Sequence, residues 1–524
     1  YPVVDEPGFK GSLASMLRAV SVRILIIAAS GAIMLAGPSA CRRGPDGDAR
    51  VVVIGDGKPT LGDPMKPPAD EADAVLRQSI AQGLVRFDAA GQIEPGLAER
   101  WNVSDDGLSY IFRLSTGEWQ DGRKIVAKDV ARILSRQVKA RDAGPTRDAA
   151  GAIREVVAMT DRVIEIRLAA PRPNLLTLLA QPDFAIIRED SGTGPFHVRA
   201  PKQAPVAAPA AIELRRRLTG FDGEEGERED VTLSVMPSAE AIKTFVAGDA
   251  DVVLGGTVAD LPLANRAKLP RGTLRFDPVA GLFGLIPARK DGPLARVEVR
   301  RLLSEALDRR ALLAELAVPG LTPRSTLLQD GLDGIGVLPQ PAWIEQPAAE
   351  RRPALLTEAA AILPERAATE GEPAEPVTLI AELPDAPGGD IILGRLNADW
   401  GPFGFRVERA AKGRPVDLRW VDRVAPSDSP AWFLRQFRCG QTPICLPEVD
   451  LLLDQARLVP IAVQRAALFG EAARSMDGEQ LFIAVAAPIR WSLVARTAPG
   501  FIENRFGRHT LAGLGAKPRS GDGS

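Results

Sequence analysis

Gly83-Leu-Val-Arg-Phe-Asp88 begins the most informative part of this sequence, which continues to Val130. Three further segments follow in order, Pro95-Gly-Leu-Ala-Glu-Arg-Trp101, Asn102-Val-Ser-Asp-Asp-Gly107 and Trp119-Gln-Asp-Gly122. Between the last two, the run Leu108–Leu114 alternates apolar and polar residues, which predicts a strand with one buried face. After them, residues 127–134 place apolar side chains at helical spacing. The whole stretch therefore predicts a compact α+β unit.

The order and spacing of these segments closely resemble the signature of the family 5 ABC-transporter solute-binding proteins. That group contains the dipeptide-, oligopeptide- and nickel-binding proteins. Further matches lie downstream, at Gly192-Thr-Gly-Pro-Phe196, Asp249–Leu254, Val299-Arg-Arg301 and Ala306-Leu-Asp-Arg309. The resemblance covers nearly all of the mature chain. It implies an α/β, two-lobed periplasmic-binding-protein-like fold with two interlobe crossing strands.

Composition places the chain among ordinary globular proteins. It has 524 residues, 45% hydrophobic and 25% charged, with a formal net charge of −2. This length accommodates two or more domains with their own cores. Near-neutral charge argues against nucleic acid as a partner, because nucleic-acid binding needs a basic face. With only two histidines and three cysteines, the sequence predicts no metal site and no cofactor.

An apolar run from Ile24 to Gly37 dominates the N-terminal part of the chain. A membrane-spanning helix needs about 20 apolar residues, so this shorter run predicts the hydrophobic region of a secretory signal. The small residues before Cys41 resemble a lipoprotein box, in which the cysteine becomes the acylated first residue, although Pro38 departs from that pattern. Two alternatives stay open, namely ordinary cleavage after Ala40 and an uncleaved anchor.

These patterns divide the chain into an expected series of segments. They are an upstream annotation artefact (1–15), a signal peptide (16–40), a tether (41–50), lobe I (51–279 and 478–515) and lobe II (280–477). Met16 is the expected start, because the residues after it would make a normal charged n-region. The two crossings between the lobes are expected near Phe276–Ile286 and near Gln480–Arg490.

Helix boundaries can be predicted at two places from capping residues. Ser238 is expected to cap a helix that runs to Val246 and is ended by Gly248. Asp308 is expected to cap the second of two helices in the block 296–316.

No enzyme template occurs in the sequence. A Gly-x-Ser-x-Gly elbow, a His-Glu-x-x-His pair, a Walker loop and a Cys-x-x-Cys pair are all missing. The glycine-rich loop 55–62 follows a predicted strand, but Pro59 and Pro64 occupy positions where a dinucleotide site needs a helix N-terminus. We therefore predict that the protein is not an enzyme.

The resemblance implies a ligand site in lobe II. Peptide-binding relatives place a Trp and shortly afterwards an Asp on this strand, and the Asp holds the ligand's α-ammonium group. Trp420 and Asp422 match that pattern here, and Asp428 is the alternative candidate for the role of Asp422. A buried ammonium group needs a paired charge, because desolvation without one costs several kcal/mol. From the residues alone, Asp422 could equally be a solvated loop carboxylate and Trp420 a core residue.

The resemblance also implies ligand contacts from lobe I. The loop Asp63–Pro68, with Met65 and Lys66, and the turn Gly192–Phe196, with Thr193 and Gly194, face the cleft in relatives. Backbone groups in such loops can hydrogen-bond an extended peptide in the manner of an added strand.

Cys439 and Cys445 lie six residues apart. A disulfide is the default for an exported protein, because the compartment is oxidising. The alternative, a thiolate metal site, lacks further soft ligands. So small a loop contributes only roughly 2–2.5 kcal/mol in the chain-entropy account.

Together these features predict an exported, lipid-anchored, monomeric solute-binding protein that delivers a short peptide to an ABC permease in the inner membrane. Within the binding class, the alternative ligands are a nickel chelate, an opine or a sugar. From a different class, the chain could be a sensor or structural lipoprotein without a transporter.

Overall fold

The computed structural model describes residues 49–119, 121–140, 150–189, 191–199, 211–219, 225–362, 375–411, 413–498, 500–512 and 514. The predicted signal peptide and the lipidation site Cys41 lie outside these residues. Of the helices in the described part of the chain, none combines the length and the apolar character needed to cross a membrane.

The strands of the described residues are numbered in chain order. They are β1 (Ala49–Ile54), β2 (Val85–Phe87), β3 (Ile93–Pro95), β4 (Ala98–Val103), β5 (Ser109–Leu114), β6 (Ile153–Thr160), β7 (Val163–Leu168), β8 (Ile187–Arg188), β9 (Ser191–Gly192), β10 (His197–Val198), β11 (Ile212–Thr219), β12 (Glu225–Met236), β13 (Val252–Gly256), β14 (Leu274–Asp277), β15 (Gly281–Pro287), β16 (Val377–Glu382), β17 (Phe405–Arg409), β18 (Leu418–Val424), β19 (Ile483–Ala484) and β20 (Arg490–Val494).

The helices are numbered in the same way. They are α1 (Glu71–Ile80), α2 (Ala127–Ala140), α3 (Leu175–Leu179), α4 (Ser238–Val246), α5 (Leu261–Arg266), α6 (Val297–Ala306), α7 (Arg309–Glu315), α8 (Ala348–Ile362), α9 (Pro387–Trp400), α10 (Pro430–Arg435), α11 (Pro447–Leu458) and α12 (Ala462–Gly478).

Lobe I is built on a seven-stranded sheet in the order β10-β11-β12-β1-β13-β20-β14. Its centre is β1, which pairs in parallel with β12 and β13. Three consecutive valines of β1, Val51 to Val53, are buried, as a central parallel strand covered on both faces requires. The predicted tether ends too late, because β1 already begins at Ala49. Arg50 is fixed there by Asp251, with Nε 3.2 Å from the carboxylate oxygen.

Lobe II is built on a five-stranded sheet in the order β17-β16-β18-β15-β19. The chain enters this sheet between Asp277, the end of β14, and Gly281, the start of β15. It returns to the first sheet between Ala484 and Arg490, where β20 begins. These two passages are the interlobe crossings of the two-lobed α/β fold.

A separate four-stranded antiparallel sheet, β4-β5-β7-β6, lies within the segment that precedes β8. Helix α2 supplies Val130 and Leu134 to the same buried cluster as Phe112 and Ile164 from the sheet. This is the α+β unit predicted from the stretch that begins at Gly83.

One of the two predicted N-caps is confirmed and the other is wrong. The Asp308 carboxylate accepts a hydrogen bond from the backbone N–H of Ala311 at 3.0 Å, as a capping residue does. Ser238 is instead the first residue of α4, and its side chain makes no capping bond. The reason is Pro237, whose carbonyl accepts from Ala241 N at 2.9 Å and so starts the helix one residue earlier. Gly248 follows the end of α4 with φ of +79°, as predicted.

Candidate functional site

The candidate site lies where lobe I touches the lobe II segment from Asp422 to Ser429. This segment contains the end of β18 and the loop that leads to α10. Ligand pockets occur preferentially at the interfaces between domains, so the residues of this contact are candidates for ligand binding.

Two ion pairs cross between the lobes on this segment. Asp422 Oδ1 accepts a hydrogen bond from Arg490 Nη1 at 2.7 Å, and both side chains are largely buried. Asp428 forms an ion pair with Arg505, from the chain that follows β20. Burial raises the pKa of the Asp428 carboxyl, and the charge of Arg505 opposes that shift. The structure thus places Asp422, the predicted ammonium partner, and the alternative candidate Asp428 in cross-lobe pairs with arginines.

Three further side chains of lobe I reach across to lobe II. Gln181 Nε2 donates to Pro426 O at 2.6 Å, and Asn174 Nδ2 donates to Ser427 Oγ at 3.2 Å. Arg172 Nη2 donates to the carbonyl of Arg457 at 2.7 Å. All three donors come from the region around α3, so this part of lobe I forms one wall of the interlobe contact.

The lobes also touch at the N-terminus of α9. The backbone N–H of Gly388 donates to Ala259 O, in the loop after β13, at 2.8 Å. A Cβ atom at position 388 would lie 2.6 Å from Val258 O and 2.7 Å from Ala259 Cα. Only glycine allows this approach.

A cavity of about 170 Å³ opens between the Arg172–Asn174 wall and lobe II. Asp333, Ser429 and Arg465 contribute its polar lining on the lobe II side. Desolvation raises the pKa of Asp333 although the residue is exposed, and the charge of Asp428 raises it further, whereas the charges of Arg505 and Arg465 oppose the shift through space. Within the described residues, no side chain forms an ion pair with Asp333. Its carboxylate is therefore available to a cationic group of a ligand.

Trp420 is a core residue in this structure. Its ring is 9% exposed and meets Phe283 edge-on, with centroids 4.8 Å apart. The sequence left open whether Trp420 contacts a ligand or packs in the core, and this packing corresponds to the second possibility.

Met65 and Lys66 lie in a turn that is fixed from inside lobe I. The carbonyl of Lys66 accepts a hydrogen bond from Arg77 Nη1 at 2.9 Å, and Met65 N donates to Asp63 Oδ1 at 2.9 Å. Arg77 is 1% exposed and also bonds Leu61 O. Neither Met65 nor Lys66 lines the interlobe cavity.

The Gly192–Phe196 turn packs against the end of α1. A Cβ at Gly194 would lie 2.5 Å from backbone atoms of residues 79–81, so this glycine is required for packing. The carbonyl of Thr193 accepts from Gln82 Nε2 at 2.7 Å. Its hydroxyl oxygen is buried, and no described group bonds it. Thr193 and Gly194 therefore belong to one turn of lobe I, and neither lines the interlobe cavity.

A disulfide joins Cys439 to Cys445, with Cα atoms 5.1 Å apart. The bridged loop lies between α10 and α11, and Cys439 N donates to Asp450 Oδ2 at 3.2 Å. Within the part of the chain that the structure describes, no group of three His, Cys, Asp or Glu residues could hold a metal ion.

Sequence reasoning did not identify Asp333, Arg490 or Arg505. Asp333 lies in the loop Asp330–Gly334, where the pattern Asp-Gly predicts only a turn. Arg490 and Arg505 meet their partners across 68 and 77 positions of sequence, respectively, and no local pattern indicates such pairs.

Comparison with known proteins agrees with this architecture. The profile of the bacterial extracellular solute-binding proteins, family 5 Middle, matches residues 92–409. The probable deoxycholate-binding periplasmic protein YgiS of Escherichia coli K12 is 33% identical over 138 residues, which cover 23% of this chain and 26% of that protein. The probable di/tripeptide-binding protein 5 of Pseudomonas aeruginosa UCBPP-PA14 is 24% identical over 510 residues, covering 83% and 89%.

A solved structure shows the same fold over most of the chain. The crystal structure of Haemophilus influenzae OppA, in complex with RPPGFSPFR, superposes with a TM-score of 0.73 at 16% identity. The superposition covers 89% of this chain and 99% of OppA. Because the family profile matches more than half of the sequence, the chain belongs to the bacterial extracellular solute-binding proteins of family 5.

Proposed function

We propose that this protein captures a short peptide between its two lobes outside the cytoplasm and delivers it to an ABC permease. The observation that carries the proposal is the interlobe cavity with an unpaired carboxylate, Asp333, on its wall. A peptide's α-ammonium group needs such a partner when it is desolvated. Binding, and not catalysis, is the role that the family and the two-lobed fold support.

In this proposal, Asp333 and Asp428 form the acidic side of the site. The backbone N–H of Asp333 donates to Asp428 O at 2.9 Å, so the two residues are held next to each other. Since burial and mutual repulsion raise the pKa of Asp333, an incoming cation would stabilise its charged form. Asp422 is already paired with Arg490, so its proposed role is to hold the lobes in register near the ligand.

Lobe motion would occur at the two crossings. Because β19 belongs to the lobe II sheet, lobe II extends past the expected end at 477, and we propose hinge closure of lobe I (49–279 and 490–514) on lobe II (280–484) around the ligand. The contacts of Arg172, Asn174 and Gln181 with lobe II would then form on closure.

Calorimetry with a matched pair of peptides, one with a free amino terminus and one N-acetylated, tests the proposal. The unmodified protein should bind the free-amine peptide at least tenfold more tightly. Asp333→Asn should remove most of this difference, whereas Asp105→Asn, at an exposed carboxylate that does not line the cavity, should leave it unchanged. Equal affinity for both peptides would show that Asp333 does not recognise an amino group.

A non-peptide ligand is the second candidate. The cavity wall also carries the positive charges of Arg172 and Arg465, which favour a carboxylate-bearing solute although both side chains already donate to backbone carbonyls, and one relative is named for deoxycholate binding. Mass spectrometry of ligands that co-purify from the native host distinguishes the two. A carboxylate-bearing molecule without an amino group would favour the second.

We propose further that Cys41 is lipidated and holds the protein at the membrane. The support is the sequence around the cysteine, with small residues preceding it after an apolar run. Cys41→Ala should release the protein from membranes or leave it unprocessed. Detection of a mature N-terminus at another residue, without lipid mass, would refute the anchor.

A further inference from the structure

A second cavity, of about 270 Å³, lies within lobe II at the N-terminal ends of α7 and α8. None of its lining residues also lines the interlobe cavity, so the two cavities are separate. Its volume is enough for several water molecules or one small solute. We call it the arginine pocket, because Arg309, Arg310 and Arg351 line it.

Arg351 is the unusual member of this group. It is 8% exposed, and its Nε and Nη1 atoms are buried without a hydrogen-bond partner. Among the described residues, no carboxylate lies within ion-pairing distance of its guanidinium group. A guanidinium group carries five N–H donors and stays charged, so a buried one without an acceptor calls for an anion.

The other two arginines have protein partners. Arg309 donates to Ser304 O, Arg324 O and Ala484 O, which uses its donors on backbone carbonyls. Arg310 is exposed and pairs with Glu345 at the rim. The unsatisfied donors of the pocket therefore belong to Arg351.

Aromatic packing places two positive charges close together. The guanidinium carbons of Arg309 and Arg351 each lie 5.2 Å from the centre of the Trp343 ring. Burial and the charge of Arg351 together lower the pKa of Arg309 to about 9. Asp308 caps α7 and Asp399 pairs with Arg395. Together with Glu305, these carboxylates attract Arg351 through space, Asp308 most strongly, but none of them hydrogen-bonds its guanidinium group.

The helix that begins at the pocket adds to the positive potential. Ala348 and Ala349 line the cavity and form the first turn of α8, a helix of 15 residues. The first N–H groups of a helix have no acceptor within it, and the helix dipole favours an anion at this end.

We propose that the arginine pocket binds a small oxyanion, a phosphate or carboxylate group, through Arg351. This site is separate from the interlobe cavity, and the proposal does not rest on the ligand assigned there. Occupancy would neutralise a buried charge in the folded protein, so the anion should stabilise lobe II.

Thermal unfolding of the purified protein tests the proposal. Inorganic phosphate, acetate and chloride are titrated separately at constant ionic strength. Phosphate or acetate should raise the unfolding temperature with saturation, beyond the effect of chloride, and the anion that acts identifies the group. If neither exceeds chloride, the site does not exist.

Substitutions locate the effect. Arg351→Met replaces the buried charge by an apolar side chain of similar length and should weaken the anion response at least tenfold. Arg352→Met changes the exposed neighbour on the same helix and should leave the response intact. An equal response in both variants would overturn the assignment.

A second variant covers the case in which Arg351→Met does not fold. Ala348→Glu introduces a carboxylate at the cavity wall, three residues before Arg351 on α8, where it should act as a built-in counterion. It should therefore unfold at a higher temperature than the parent without anion and gain little from phosphate or acetate. A full anion response in Ala348→Glu would contradict the proposal.

Discussion

Arg490 Nη1 lies 2.7 Å from Asp422 Oδ1 and joins the first residue of β20, in lobe I, to β18, in lobe II. Only 19% and 15% of the two side chains are exposed, so the pair is screened less than a surface ion pair. Arg490 also donates to the Asp422 carbonyl at 3.3 Å. The pair thus fixes the relative position of the two sheets where the chain returns to lobe I.

The first prediction concerns this pair. Asp422→Asn should destabilise the protein by on the order of 1–3 kcal/mol, between the values for exposed and buried pairs, because Arg490 would remain largely buried without its charge partner. Denaturant unfolding of Asp422→Asn, Arg490→Gln and the double variant measures the coupling. If the effects of the two single substitutions simply add, the pair does not stabilise the lobes' arrangement.

The second prediction concerns Gly388. Gly388→Ala places a methyl group within 2.6 Å of Val258 O, so the lobes should no longer close fully at α9. Ligand affinity should fall at least tenfold, and small-angle scattering with ligand should show a larger radius of gyration than for the parent. Gly394→Ala, on the same helix with open space at its Cβ position, is the matched control. Similar behaviour of the two variants would show that closure does not need the glycine.

The third prediction concerns the Cys439–Cys445 bridge. Removing it with a Cys439→Ser/Cys445→Ser variant should cost roughly 2–2.5 kcal/mol of unfolding free energy, because the closed loop is short. Ligand binding should persist, since the bridge lies in a loop between two helices. Intact mass after alkylation, with and without reductant, checks the pairing in protein from the native host. Two free thiols in that protein would contradict it.

Much of the fold was predictable because it is encoded locally. Alternating or continuous apolar runs gave the strands, as in Leu108–Leu114 and Val51–Ile54, and Asp308 marked a helix start. Ser238 failed as a cap because Pro237 before it supplies the carbonyl that begins the helix. Local patterns thus predict where an element lies better than which residue starts it.

The candidate site was less predictable because its contacts are long-range. No local sequence pattern indicates an ion-pair partner for Asp422, because its partner Arg490 lies 68 residues away. Likewise, Arg300 is 2% exposed and donates to Glu479 O, a burial that a helical pattern with charged positions does not indicate. Polar groups buried by tertiary pairing become visible only once the sheets are assembled.

The last prediction concerns Asp477, near the end of α12. Its Oδ1 accepts a hydrogen bond from Leu327 N at 2.9 Å, which joins α12 to the loop between α7 and α8. Burial raises the pKa of Asp477 to about 7, although that hydrogen bond and the charge of Arg324 oppose the shift. Because the folded protein holds this proton more tightly than the unfolded chain, the group's contribution to stability is greatest at low pH.

That contribution should be lost as pH rises from about 4, the unfolded value, to about 7, and stay constant above. Asp477→Asn keeps an acceptor for Leu327 N and cannot ionise, so it should match the parent near pH 4 and exceed its stability by on the order of 2–4 kcal/mol at pH 8. Denaturant unfolding of both proteins across this range measures the difference. Asp450→Asn, which removes a different carboxylate on α11, is the control for the loss of one negative charge. A constant difference between parent and Asp477→Asn from pH 4 to 8 would show that Asp477 titrates normally.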